Sequence, residues 1–225
     1  MSLLLFLFAC ASAPDGDAPD SGTAEPPAPV EGRFVLLDPL RGGALTGVSL
    51  TTQAGDATDT ADGAGVLPIL PGPFVVTAAA EDARDHHLVG VAGEADFELI
   101  AFMSNRTLDS QVLRMLRTAP DPDKAFLVVA VDHPDLSPAA GASVAVDGDY
   151  EVAFNLDGGR PQERTEITAG ASFVTFANVA PGPVEVTVTP PEGESCGVFP
   201  ALQGGPFTLD VEADTVAVVT FHCVE

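Results

Sequence analysis

The fold of this chain is indicated most clearly by LPGPFVVTA at residues 70–78, a Pro-Gly turn that leads directly into an apolar strand. The same pattern returns as APGPVEVTV at residues 180–188. Upstream of each copy, GVSL at residues 47–50 matches GASV at residues 141–144. The second copy is longer between these anchors, and residues 150–170 are the expected insertion. An internal repeat of this kind predicts two units of one architecture in tandem.

Short apolar runs separated by Gly and Pro continue through most of the chain from Arg33 onward. Several alternate apolar and polar residues with a period of two, as VSLTT does at residues 48–52, which is typical of half-buried strands. Asp and Gly within residues 59–65 predict a hairpin turn. Frequent turns between short strands favour packed sheets over βαβ units. We therefore predict an all-β protein of two tandem small antiparallel β-sandwiches, transthyretin-like or immunoglobulin-like, joined by one short helix.

The turn chemistry of the first copy resembles that of a known family. A strand, then GVSL, then TADG at residues 60–63, then LPG and another strand resembles the carboxypeptidase regulatory-like, or transthyretin-like, β-sandwich. The resemblance covers roughly residues 32–102 and, more loosely, residues 125–223. It implies a non-catalytic accessory or surface module. The family's enzymatic relatives do not fit, because the chain ends in HCVE and Tyr150 is its single tyrosine.

The N-terminal residues predict export and a lipid anchor. The apolar run SLLLFLFA at residues 2–9 is too short to span a bilayer, which needs about 20 residues, but it suits a signal peptide. LFAC at residues 7–10 resembles a bacterial lipobox, which makes Cys10 the lipidation site, carrying palmitate, and the membrane a partner through that anchor. Ala11 after the cysteine fits an outer-membrane lipoprotein of a Gram-negative bacterium, periplasmic or surface-exposed. An ordinary cleaved signal and an apolar intracellular N-terminus are the alternatives.

A single helical pattern separates the two predicted sandwiches. Asn105 or Thr107 can cap a helix whose apolar residues Leu108, Val112, Leu113 and Leu116 share one face. The predicted organisation is a signal peptide at 1–9, a lipidated cysteine and disordered acidic linker at 10–31, a first sandwich at 32–103, a helical connector at 104–124 and a second sandwich at 125–225.

Composition limits the classes of partner. The chain has 33 acidic and 9 basic residues, a formal net charge of −24, which disfavours nucleic-acid binding and charge-driven contact with anionic lipid. Tryptophan is absent and tyrosine occurs once, which leaves few aromatic platforms for sugars or bases. An acidic surface is compatible with calcium binding, a salty habitat or simple solubility. We therefore expect no nucleic-acid partner.

Two cysteines remain once Cys10 is assigned to lipid. In an exported protein, Cys196 and Cys223 predict one disulfide bond. Zinc bound with the adjacent His222 is the alternative, but no second pair of ligands stands at the spacing that zinc sites use.

Metal candidates from the sequence are weak. Asp56, Asp59 and Asp62 recur every third position beside a turn, which lacks the alternating pattern of a calcium loop, so a solvated turn is preferred. His86 and His87 are interpreted as a surface loop, although in a strand they would point to opposite faces and could not share a metal. The sequence contains no catalytic motif, such as Gly-x-Ser-x-Gly or His-Glu-x-x-His. We predict no catalytic residues, no metal and no cofactor.

These observations predict a non-catalytic, membrane-anchored lipoprotein that presents β-sandwiches for structural or adhesive binding of an envelope protein or a glycan. The alternative is a substrate-binding accessory subunit of an envelope secretion or uptake system, capturing peptide or carbohydrate. A metal-dependent enzyme built on His86 and His87 is the third possibility.

Overall fold

The computed structural model describes residues 27–39 and 41–225, and within them the chain is built of short strands with one helix, as the sequence predicts. The elements are β1 (Val30–Leu37), β2 (Ser49–Thr52), β3 (Ala57–Asp59), β4 (Ala64–Ile69), β5 (Gly72–Ala79), β6 (Asp85–Ala92), β7 (Phe97–Phe102), α1 (Arg106–Met115), β8 (Ala125–Asp132), β9 (Ser143–Asp147), β10 (Val152–Asp157), β11 (Arg160–Glu163), β12 (Phe173–Val179), β13 (Gly182–Thr189), β14 (Ser195–Val198), β15 (Gln203–Gly204), β16 (Phe207–Val211) and β17 (Thr215–Val224).

The strand pairing repeats between the two halves of the chain. In the first half β1 lies between β4 and β7, while β5 lies between β2 and β6. In the second half β8 lies between β12 and β17, while β13 lies between β9 and β16. The two Pro-Gly turns occupy equivalent places, at the starts of β5 and β13. Gly72 and Gly182 there have φ of 115° and 126°, values that favour glycine.

The two halves are joined through one continuous large sheet. Its order is β11-β10-β12-β8-β17-β6-β5-β2-β3, with β14 and β15 paired beside β17. Strand β17 is parallel both to β8 and to β6, so it belongs to both halves. At the far end of β6, a Cβ on Gly90 would lie 2.7 Å from the carbonyl oxygen of Phe199, which shows how closely the second half approaches the first.

Two smaller sheets cover opposite faces of the large sheet. The sheet β4-β1-β7 packs on one face over the first half, in a core that contains Phe34, Leu50 and Leu88. The sheet β16-β13-β9 packs on the other face over the second half, in a core that contains Leu127, Phe176 and the aliphatic residues of β13. Both sandwiches therefore draw one of their two layers from the same large sheet.

Helix α1 covers the part of the large sheet that neither small sheet reaches. Asn105, one of the two residues predicted as the cap, caps it and accepts a hydrogen bond from the backbone N–H of Leu108 at 2.9 Å. Val112 and Leu113 are buried, and Leu108 and Leu116 pack against the same core. Over strands β8, β10 and β12, the ten-residue helix thus takes the position that a small sheet takes elsewhere on the large sheet.

Three sequence expectations differ from the structure. Residues 59–65 do not form a hairpin, because β3 belongs to the large sheet and β4 to a small one, so the turn crosses between layers. The pairing is not wholly antiparallel, since β1·β7, β8·β17 and β6·β17 are parallel. His86 and His87 lie in strand β6 and not in a surface loop. The insertion after Tyr150 is confirmed as the extra antiparallel pair β10–β11 at the sheet edge.

The predicted signal peptide, Cys10 and most of the predicted linker lie outside the described residues. Within the described ranges, the one helix is too short and too polar to cross a bilayer.

Candidate functional site

A narrow cavity of about 100 Å³ lies between helix α1 and the large sheet. Its floor is the face of β8, β10, β12 and β17 that the small sheets leave uncovered, and its roof is α1 together with the end of β7. The floor is largely apolar because every second residue of each strand points to this face. The apolar floor residues are Phe126, Val128, Ala130, Phe154, Leu156, Phe173, Val216 and Val218.

His86 lies at one end of this cavity. It is 1% exposed, and its Nδ1 lies 2.9 Å from the carbonyl oxygen of Arg84. A carbonyl can only accept, so Nδ1 carries the hydrogen and Nε2 is left with a free lone pair. Burial lowers the pKa of His86 to about 4, so the ring is neutral at pH 7. Nε2 has no hydrogen-bond partner among the described residues.

Asp132 lies at the other end of the cavity, at the last position of β8. Burial raises the pKa of its carboxyl from 3.8 to about 7, and the hydrogen bond from Ser172 and the neighbouring His133 offset this only in part. Oδ1 of Asp132 has no partner within the described part of the chain. On β17, Val216 is opposite His86 and His222 is opposite Asp132. Six residues of strand separate the two ends, which corresponds to roughly 20 Å.

Ion pairs fix α1 over the His86 end. Arg84 is buried, and its Nη1 lies 2.5 Å from Oδ2 of Asp109 on the helix. Its Nε also contacts Asp214, which binds Arg106 through two further hydrogen bonds of 2.8 and 2.7 Å. The guanidinium group lies 4.9 Å from the centre of the Phe126 ring. This cluster ties β6, α1 and the turn before β17 together, so the roof of the cavity has a fixed position at this end.

The cavity opens on one side into a surface groove of about 340 Å³. Gln111 and Met115 of α1 border the groove, and Met115 is 60% exposed. The residues that line both spaces are Pro39, Phe102, Leu108, Val112, Leu156 and Phe173. A molecule could therefore enter the cavity between the helix and the edge of the large sheet.

The aspartates proposed for calcium lie on the surface and do not form a cluster. Asp56, Asp59 and Asp62 are exposed around the short strand β3, and Asp56 is engaged with Thr52. Among residues 27–39 and 41–225, no group of three His, Cys, Asp or Glu side chains is placed to hold a metal ion. All three side chains are exposed to solvent, and the absence of calcium at this turn stays a prediction.

The interpretation of His86 and His87 as a surface loop is wrong. Both residues lie in β6, where adjacent side chains point to opposite faces, so His86 is buried in the cavity and His87 is partly exposed on the other face. Sequence reasoning also missed Asp132 as a cavity residue. Its only signal is a carboxylate that continues the alternation Phe126, Val128, Ala130 on one face of β8.

The predicted disulfide is confirmed. Cys196 on β14 and Cys223 on β17 are bonded, with their Cα atoms 4.0 Å apart in paired strands. The neighbouring His222 packs against Phe199 with ring centres 4.3 Å apart. His133 contacts Glu194 at 3.0 Å on the same side of the molecule. The disulfide and the His222–Phe199 contact fasten the β14 segment to the last strand, and the His133–Glu194 contact fastens the loop after β13 to the residue that follows β8.

Comparison with known proteins places the chain in no family. No family description and no curated protein matches it. Among solved structures, the TIE protein of Bacillus anthracis is 13% identical with a TM-score of 0.29, over 88% of this chain and 34% of that protein. A minor pilin of Streptococcus agalactiae is 10% identical with a TM-score of 0.30, over 86% and 94%. A maltoheptaose-bound carbohydrate-binding module of Eubacterium rectale is 9% identical with a TM-score of 0.26, over 87% and 95%. Likenesses this distant establish neither family nor function.

Proposed function

We propose that this chain is a non-catalytic lipoprotein, anchored through Cys10 to the outer membrane of a Gram-negative bacterium, with a structural or adhesive role toward an envelope protein or glycan. The continuous large sheet is the observation that supports a structural role. Domains joined by a linker usually move relative to one another, unless their interface is large and apolar. Here β17 is hydrogen-bonded to both halves, and nine of its ten residues are buried. Such a body holds its outer loops and edges at fixed separations.

One further feature supports a location outside the cytoplasm, and another bears on the class of partner. A disulfide between Cys196 and Cys223 persists in oxidising compartments and is rare in a reducing cytosol. The formal net charge of −24 keeps such a body soluble and repels phosphate backbones, which disfavours a nucleic-acid partner.

Metabolic labelling tests the anchor. Wild-type cells grown with labelled palmitate should incorporate it into the protein, and the protein should fractionate with the outer membrane. Cys10→Ala should abolish both. The double variant Cys196→Ala/Cys223→Ala is the matched control, because it removes two cysteines and should keep the label. Wild-type protein that takes up no palmitate and remains in the soluble fraction contradicts the anchor.

Cross-linking in intact cells tests the adhesive or structural role. The anchored protein should yield a reproducible cross-linked complex with an envelope protein or retain a glycan, and protease added outside the cells reports whether it is surface-exposed. Anchored protein that cross-links only to copies of itself would contradict the adhesive or structural role but not the proposal of a lipid anchor.

A substrate-binding accessory subunit of a secretion or uptake system is the second candidate. The cavity beneath α1, with its opening to a groove, favours it. The two roles differ in what they bind, a macromolecule on the outside of the body or a small molecule inside it.

A further inference from the structure

The cavity beneath α1 combines an apolar wall with a polar residue at each of its two ends. His86 and Asp132 both line it, and within residues 27–39 and 41–225 Nε2 of His86 and Oδ1 of Asp132 are buried acceptors without a hydrogen-bond partner. A buried acceptor without a donor costs free energy, because it has lost its water and gained nothing in exchange. A bound molecule that brings donors to these atoms would remove that cost.

Both acceptors require a donor, which limits the ligand. The neutral His86 cannot donate from Nε2, because its single ring hydrogen is on Nδ1 facing the carbonyl oxygen of Arg84. In its ionised form, which a cationic ligand favours, Asp132 accepts only. Between them the floor is apolar, with Val128, Leu156 and Phe154 among its residues. The complementary molecule is long and aliphatic with a hydrogen-bond donor at each end.

Charge favours a cation at the Asp132 end. Among the residues that the structure describes, no lysine or arginine lines the cavity, and the charged or titratable residues that do are His86, Asp109 and Asp132. Asp109 is paired with Arg84, which leaves Asp132 as the carboxylate without a cationic partner at this site. An ammonium group satisfies a buried carboxylate through both charge and hydrogen bonds.

We propose that this cavity binds a long-chain aliphatic amine, with its ammonium group on Asp132, its chain along the apolar floor and a second donor on Nε2 of His86. The ligand enters through the groove between Met115 and Phe173. Such binding does not depend on the lipid anchor or on an adhesive role. It would give the second candidate function its substrate class.

The titratable groups around Asp132 determine what happens to its proton. His133 is adjacent in sequence and His222 is opposite on β17, while His86 and Asp109 lie toward the other end. Near pH 7 the carboxyl is partly protonated in the empty cavity, and an ammonium group stabilises the ionised form. Binding of the amine therefore releases a proton from Asp132.

Calorimetric titration of the full-length protein with dodecanediamine tests the proposal, with dodecanedioic acid as the probe of equal length and opposite charge. We expect saturable binding of the diamine and none of the diacid. The binding heat should change between two buffers of different ionisation enthalpy, because a proton is released. Asp132→Asn should weaken diamine binding by about tenfold or more and abolish the buffer dependence. His86→Phe should also weaken it, since the ring shape stays and the acceptor is lost.

Asp149→Asn is the matched control, because Asp149 is an exposed carboxylate that does not line the cavity, and it should bind as the wild type does. Thermal melts establish that each variant is folded. Equal binding of diamine and diacid, or unchanged diamine binding by Asp132→Asn, overturns the proposal. A wild-type protein that binds neither probe also overturns it and indicates that water alone satisfies the two acceptors.

Discussion

Strands β8 and β12 are covered in two different ways on their two faces. On one face, the small sheet β16-β13-β9 buries Leu127, Val129 and Phe176 completely. On the opposite face of the same strands, Val128 and Phe173 are only partly buried, under a helix of ten residues. A sheet follows the pleated surface along its whole length, whereas a single short helix contacts it along one stripe. The cavity therefore results from covering this face with a helix instead of a sheet, and not from the residues of the large sheet beneath it.

Two phenylalanines of β12 give the largest expected difference between the faces. Phe176→Ala should lower the free energy of unfolding by about 3–5 kcal/mol, because Phe176 is fully buried beneath the sheet. Phe173→Ala should cost about 1–2 kcal/mol, since part of this side chain is already exposed and faces the cavity and groove. Urea denaturation followed by circular dichroism measures both. Equal losses would show that the helix packs as tightly as the sheet.

The disulfide reinforces the face covered by the sheet. Cys223 is buried in that core, and the bond closes a loop with a sequence separation of 27. Cys196→Ala/Cys223→Ala should lose about 3 kcal/mol of unfolding free energy, because the unfolded chain is no longer constrained. Dithiothreitol should produce a similar loss in the wild type and none in the variant. A wild type insensitive to reduction would mean that the pairing of β14 with β17 suffices alone.

The face covered by the helix should make the stability of the protein depend on pH, because Asp132 lies on it. Asp132 has a pKa of about 7 in the folded chain and 3.8 ordinarily, so the folded state binds the proton more tightly. Its contribution is fully present below about pH 4 and is lost as the pH rises through 7. Asp132→Asn should remove this loss and be more stable than wild type at pH 8 by about 2 kcal/mol, a value reduced for partial exposure.

Thermal and urea unfolding of both proteins at pH 5 and pH 8 measure the effect of Asp132. Asp149→Asn, which removes an exposed carboxylate elsewhere, should follow the wild type at both pH values. Parallel curves for wild type and Asp132→Asn would mean that the cavity is wet enough to hold the charge without cost.

Enlarging a side chain should stabilise the protein on the face covered by the helix and destabilise it on the face covered by the small sheet. Ala130→Val places two methyl groups toward the cavity and should stabilise the protein by about 0.5–1 kcal/mol. Ala217→Val adds the same atoms where Ala217 is fully buried in the core beneath the small sheet, and should destabilise it through overpacking. Melting temperatures of the two variants provide the measurement. Destabilisation by Ala130→Val would show that the space beneath α1 cannot accept more atoms.

Local signals in the sequence were sufficient for much of the fold. The Pro-Gly turns before Phe74 and Val184 predict the repeat, and the structure shows equivalent pairing in both halves. Asn105 and the apolar stripe of α1 predict the helix, because caps and periodicity act within a few residues. The pair Cys196 and Cys223 follows from cysteine number and an expected oxidising compartment. The lipidation of Cys10 stays a prediction.

The candidate site depends on pairing between distant strands, which the sequence does not encode locally. His86 reaches the cavity only because β6 pairs with β17, more than a hundred residues later in the chain. Asp132 is opposite His222 for the same reason. Each residue alone matches an ordinary surface histidine or the polar end of a strand. Their relation appears only when β17 brings the two halves into one sheet.

The position of β17 in the chain has a consequence for the order in which the molecule is completed. Until residues 215–224 are available, the facing edges of β6 and β8 have no partner and neither half has its complete layer. The chain leaves the ribosome from its N-terminus, so these two edges stay unpaired until residues 215–224 have also emerged. Both halves therefore complete their layers in the same late step, when β17 pairs with β6 and β8.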